Sequence, residues 1–251
     1  GTPVYLWEKH FENQFNWWRR RFDRQWHQLD LVRLDHFRAL ISYWAVPGDK
    51  KTAEDGEWIP SPGKFLLKLL EKDHKGHLDL VAEDLGIITE EVEELRDEFN
   101  LPGMKILQFA FNGEKDNPYL PENINGNSWV VYSGTHDNPT TLGWWDSLDN
   151  NQKELIEKSY FNELNNPSWN MIDIGLSTEA KLFVAPLQDI LNLDDKARFN
   201  KPGTVGFNWI WRQESIDAHL VDSLKKYSER ALYWGRSFED TFKLLRSIYN
   251  V

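Results

Sequence analysis

The sequence predicts an α/β fold of parallel strand–helix–strand units, and three observations support it. Short apolar segments with a two-residue alternation recur between longer segments whose apolar residues fall at steps of three and four. Several strand-like segments end on an acidic residue, where parallel sheets place their chemistry. No fixed-period repeat or low-complexity linker divides the 251 residues, so 1–251 reads as a single domain.

The elements follow in order. After Pro3, the residues Phe11, Phe15, Trp18, Phe22, Trp26 and Leu29 mark one face of a single long helix. At Leu31 to Phe37 the period changes to two, which predicts a strand. Val46 to Pro60 is polar and turn-rich, a surface loop with one stranded aromatic, Trp58. Ser61-Pro62 starts a helix with Phe65, Leu66, Leu69 and Leu70 on its apolar face. Leu78 to Leu85 is a second strand, closed by Gly86. Thr89 then caps a helix that has Glu90 and Glu91 in its first turn and stops near Asn100. Met104 to Phe111 is a third strand, Asn112 to Ser128 a long loop, and Trp129 to Tyr132 a fourth strand. Further helices are expected over Gln152 to Leu164, part of Thr178 to Leu191, and Ile216 to Arg230, with a fifth strand at Leu182 to Ala185.

Charge narrows the partners. Lys and Arg total 29 against 40 Asp and Glu, a net charge of -11 that repels nucleic acid and anionic membranes. There are no cysteines, so disulfides, thiolate nucleophiles and the commonest zinc sites are excluded, and a cytoplasmic setting is expected. The 13 Trp residues mainly fill core, yet exposed rings also stack on the flat apolar faces of sugars.

Three carboxylates occupy equivalent places: Asp35 ends VRLD, Glu83 ends LVAE, and Asp137 follows VVYSGTH. A parallel barrel would converge them on one mouth. Retaining glycosyl chemistry needs such a set, a charged nucleophile and a protonated acid about 5 to 5.5 Å apart. Arg33 shares the strand face of Asp35 and could hold it ionised, while Leu80-Val81-Ala82 offers Glu83 a less polar setting. By spacing alone, a local Arg33–Asp35 ion pair stands level with that reading. No GxGxxG, Walker loop, HExxH or GxSxG is present. His74 and His77 sit in the polar turn HKGH, which reads as solvated rather than as a metal pair.

VRLDHFR, VAEDLG and GTHDNPTTLGWW resemble the three catalytic motifs of the 4-alpha-glucanotransferases, the amylomaltases or disproportionating enzymes of the alpha-amylase clan. GTPVYLWE, YWAVP, LPGMKILQFAF and PLQDILNLDDKARFNKPGTVGFNWIWR are similar to family segments too, in the family's order from Gly1 to Arg212. The motif spacing, 48 residues from Asp35 to Glu83 and 54 from Glu83 to Asp137, suits one barrel strand between the second and third motifs.

The resemblance implies a (β/α)8 barrel of glycosidase type, with Asp35 as nucleophile, Glu83 as general acid/base and Asp137 as transition-state stabiliser. It implies that Arg33 supports the nucleophile and that His136 hydrogen-bonds sugar hydroxyls. For His36 and Asp84, an orienting or packing role stands level with sugar contact. The reaction it implies moves alpha-1,4-glucan segments between maltodextrins through a covalent glucosyl-enzyme, with neither metal nor organic cofactor.

The sequence departs from the pattern at Ala39, where many members have Gly, at Pro139, where many have Asp, and at Asn112, where some have Asp and a sugar contact would change. Family members are about twice this long. The expectation is that only about strands 4 to 8 of the barrel are present, that the N-terminal half is the needed partner, and that the chain alone turns over poorly. Two other readings remain: an alpha-glucan hydrolase of the same clan, told apart by its products, and an inactive glucan-binding fragment, told apart by binding without turnover.

Overall fold

The computed structural model describes residues 2–162 and 166–236. Two compact units divide the chain, Gly1–Met104 and Lys105–Val251.

In the first unit the expected long helix is two. α1 (Trp7–Glu12) and α2 (Asn16–Trp26) are separated by Gln14 and Phe15, whose φ angles of 54° and 56° are left-handed. Left-handed backbone costs roughly 1–2 kcal/mol per residue. Burial offsets that cost: Phe15 is wholly inaccessible and packs against Trp7, Phe11 and Phe65. The apolar period survives the break, so the pattern conceals it.

β1 (Val32–Leu34) is shorter than the expected Leu31–Phe37 strand, because His36 turns left-handed at φ 50° and a 3-10 turn follows at Phe37–Leu40. The expected loop at 46–60 contains a strand: β2 (Ser42–Ala45) pairs antiparallel with β3 (Glu57–Pro60). Trp58 is not stranded. It lies opposite Trp44, edge to face at 5.4 Å, with the Arg38 guanidinium 4.2 Å from its ring centroid. α3 (Gly63–Asp73) starts as expected and buries Leu66, Leu67 and Leu70. β4 (Leu80–Ala82) is fully buried and pairs parallel with β1, Val32 with Leu80, Arg33 with Val81 and Leu34 with Ala82. α4 (Glu90–Glu98) follows Thr89, whose side chain makes no capping bond, so the acidic first turn alone complements the helix dipole.

β5 (Gly103–Ile106), on which the unit boundary falls, is half the expected Met104–Phe111 strand. A 3-10 turn at Leu107–Phe109 ends it. β6 (Trp129–Tyr132) matches expectation and pairs parallel with β7 (Leu182–Val184), in a sheet of order β5-β6-β7. α5 (Thr141–Ser147), capped by Thr140, lies in a stretch where no helix is expected. α6 (Asn150–Ser159) carries a capping box from Asp149 and Gln152, and Glu163 and Leu164 of the expected helix lie outside the described residues. α7 (Pro167–Ser177) was also unforeseen. It is buried on nearly every side and therefore lacks the amphipathic period that reveals a surface helix. A Cβ on its Gly175 would stand 2.0 Å from the Phe183 ring, so only glycine lets the helix approach β7 this closely. α8 (Leu187–Ile190) is the helical part of Thr178–Leu191, and α9 (Ala218–Tyr233) begins two residues after the expected Ile216. Arg230 on α9 pairs with the buried Asp173 of α7.

Candidate active site

The parallel register of β1 and β4 fixes the first two carboxylates. Leu34 and Ala82 are partners, so Asp35 and Glu83 are the next residues of adjacent strands at their C-terminal ends. The pairing continues past the strands: the Glu83 amide donates to the Leu34 carbonyl at 3.0 Å, and the Phe37 amide donates to the Glu83 carbonyl at 3.1 Å.

The two side chains then meet different surroundings. Asp35 is exposed, with 75% of its side chain accessible, and Arg33 Nη2 donates to its Oδ1 at 2.8 Å. The Arg33 Nε faces the Met104 sulfur at 3.3 Å, which steers the guanidinium along the strand. Glu83 is half-buried, accepting from the His36 amide at 2.7 Å and the Leu85 amide at 3.2 Å. Burial pushes its carboxyl above the usual carboxylate range; the two amides and the Arg33 charge pull it back in part, while the Asp35 charge adds to the rise. One carboxylate beside a cation and a second with a raised pKa can divide the roles of charged nucleophile and proton donor.

Asp84 points the other way. Its buried carboxylate accepts from Arg96 Nη1 at 2.6 Å and from the Met104 amide at 2.7 Å, tying α4 and the start of β5 to the loop that carries Glu83. His36 is exposed, and the left-handed turn at this residue aims its amide at Glu83.

In the second unit Asp137 lies five residues beyond β6. The loop is anchored at Ser133, whose buried hydroxyl donates to Asp189 Oδ2 at 2.6 Å. The Thr141 amide and hydroxyl also donate to Asp189, at 2.7 Å each. Burial raises the Asp189 pKa, and these three bonds oppose the rise. Asn200 Nδ2 donates to Asp137 Oδ1 at 2.6 Å, Arg198 Nη2 donates to the Asp137 carbonyl at 2.6 Å, and His136 Nε2 lies 3.5 Å from Asp137 Oδ2. The His136 ring rests against Trp209, centroids 5.1 Å apart. Asn112 is engaged within its own loop, with Glu114 and Asn117.

Sequence reasoning missed Asn200, Arg198 and Trp209 because they lie more than 60 residues from Asp137 and no local spacing links them. It also missed the His36 and Leu85 amides, which carry no side-chain signature.

These features define a class: parallel-stranded α/β chains with acidic residues at strand C-terminal ends. The chain belongs to the 4-alpha-glucanotransferase family, glycoside hydrolase family 77, whose profile matches residues 1–217. The 4-alpha-glucanotransferase of Synechocystis sp. is 50% identical over 239 residues, covering 92% of this chain and 47% of that protein. A chloroplastic/amyloplastic 4-alpha-glucanotransferase of Arabidopsis thaliana is 44% identical over 232 residues, 92% of this chain and 39% of that protein. The structure of amylomaltase from Streptococcus agalactiae in complex with acarbose superposes with a TM-score of 0.86 at 33% identity, over 94% of this chain and 48% of that one. The fold class is thus a partial (β/α)8 barrel of glycosidase type. The chain spans about half the length of the curated relatives it matches or less. Among the described residues, no helix is long and apolar enough to cross a membrane.

Proposed function

We propose that the chain is the C-terminal portion, about strands 4 to 8, of the catalytic barrel of a retaining 4-alpha-glucanotransferase that moves alpha-1,4-glucan segments between maltodextrins. Asp35 attacks the anomeric carbon as Glu83 protonates the departing glycosidic oxygen, leaving a glucosyl ester on Asp35. Glu83, now a carboxylate, takes the proton from the 4-hydroxyl of the acceptor glucan as that oxygen displaces Asp35. Asp137 stabilises the positive charge that develops on the sugar, and His136 binds its hydroxyls. Asp84 and His36 orient Glu83 rather than touch sugar, and Asn112 reaches a sugar only by leaving its bonds to Glu114 and Asn117.

The observation that supports this most is the contrast between Asp35 and Glu83, neighbours in strand register with opposite electrostatic settings. The preceding half of such an enzyme is the partner this reading requires, in the cytoplasm. The test joins this chain to the preceding half of the Synechocystis relative and assays maltotriose. A ladder of longer maltodextrins with little gain in reducing ends supports transfer, a rise in reducing ends without a ladder supports a hydrolase, and binding without turnover supports a glucan-binding fragment.

A further inference from the structure

At the opposite end of β4 from Glu83, three side chains converge. His74 Nε2 lies 3.0 Å and His77 Nε2 3.5 Å from the same oxygen, Asp79 Oδ2. One ligand atom from each residue lies within 4.8 Å of the others. In a tetrahedral zinc site with metal–ligand bonds of about 2.0 to 2.2 Å, neighbouring ligand atoms stand about 3.3 Å apart. The two measured edges bracket that value.

The backbone prepares this convergence. His74 ends α3, its amide donating to the Leu70 carbonyl at 2.9 Å, and the Gly76 amide donates to Glu71 at 2.8 Å. Lys75 and Gly76 both take positive φ, 60° and 89°, which folds the chain back so that the His77 ring comes within 4.8 Å of the His74 ring. Asp79 is fixed from the other side, since the Val32 amide donates to its carbonyl at 3.0 Å. One indole holds two of the three residues: Trp26 stacks on His74 at 4.3 Å and 17°, and its Nε1 donates to the Asp79 carbonyl at 3.2 Å. Fixing a ligand ring and its neighbour's backbone together lowers the ordering cost of binding.

We infer that His74, His77 and Asp79 form a binding site for a divalent transition metal of the zinc class, with water in the fourth position. Two imidazoles and one carboxylate select zinc, cobalt or nickel over magnesium or calcium, which take oxygen ligands. The metal clips the end of α3 to the start of β4 and, because it binds the folded chain, stabilises it.

The test titrates the full 251-residue chain with ZnCl2 by calorimetry and follows thermal unfolding with and without the metal. The expected result is one zinc per chain, a rise in Tm, and at least about a tenfold loss of affinity in both His77→Gln and Asp79→Asn. His77 is 61% exposed at its side chain, so its variant leaves the packing intact. His219→Gln, on the exposed face of α9, retains full affinity, and MgCl2 produces no shift. Zinc binding that His77→Gln leaves unchanged, or the absence of stoichiometric binding to the parent chain, overturns the site.

Discussion

The strand ends of the two units hold their carboxylates by different means. In the first, Asp35 and Glu83 are placed by the ladder itself: parallel register sets them side by side, and neighbouring amides continue the pairing beyond the strands. In the second, Asp137 follows an irregular loop and is held by side chains, Asn200 and His136, above a buried polar anchor of Ser133, Thr141 and Asp189. Backbone register tolerates side-chain change at either neighbour, whereas a polar anchor fails when one member is lost. The first site should therefore lose chemistry without losing structure, and the second should be sensitive in both.

The largest effect tests the first half of that contrast. In the enzyme joined to its preceding half, Asp35→Asn should abolish transfer, and Glu83→Gln should lower kcat by about 10²- to 10⁴-fold, the usual worth of a positioned proton donor. Both variants should unfold at denaturant midpoints close to the parent's. Substantial remaining turnover in Asp35→Asn would refute its role.

Next in size is the anchor. Asp189→Ala leaves the Thr141 amide and two hydroxyls without their acceptor, at about 1–3 kcal/mol for each that stays buried and unpaired. Urea unfolding should show the loss, and a midpoint like the parent's would remove the distinction between the two sites.

The pH dependence of Glu83 is smaller and has a definite sign. A carboxyl whose pKa is raised on folding contributes stability that is fully present below its unfolded pKa and lost as pH rises through the folded value. Glu83→Gln cannot ionise, so its stability relative to the parent should rise as pH climbs from the ordinary glutamate pKa through the raised folded value, as read by urea titrations at each pH. A flat or falling difference contradicts the raised pKa. Because the Arg33 charge lowers the Glu83 pKa, Arg33→Gln should move the alkaline limb of the rate profile further upward.

The smallest effect belongs to Asn200→Ala, which removes one exposed hydrogen bond to Asp137 worth about 0.5–1.5 kcal/mol. Transfer should fall by about tenfold or less. A larger loss would assign Asn200 a part in the chemistry itself.

What the sequence made legible follows the same division. Apolar strand segments, the half-buried Val32–Leu34, the buried Leu80–Ala82 and Trp129–Tyr132, are readable, and with them the places of Asp35, Glu83 and Asp137 in the chain. Three features stayed hidden because their cause is tertiary. Phe15 breaks a helix whose period runs on unbroken, since burial among distant rings offsets its left-handed backbone. Trp58 belongs to a strand that only its partner Trp44 reveals. α7 is buried on nearly every side, with polar Ser168, Asn170 and Asp173 buried among its apolar residues, and so has no face to read. At the candidate site, residue types were readable but partners were not: Asn200 and Arg198 reach Asp137 across more than 60 residues, and the His36 amide acts through backbone alone.

In the proposed reaction Asp35 receives the sugar while Glu83 moves the proton. An α-maltosyl fluoride carries a leaving group that needs no acid, so Glu83→Gln in the joined enzyme should form the glycosyl ester and release it slowly. Peptide mapping by mass spectrometry should find the added maltosyl mass on the peptide containing Asp35. The same mass on Glu83 or Asp137, or fluoride release with no labelled peptide, would refute this division of roles.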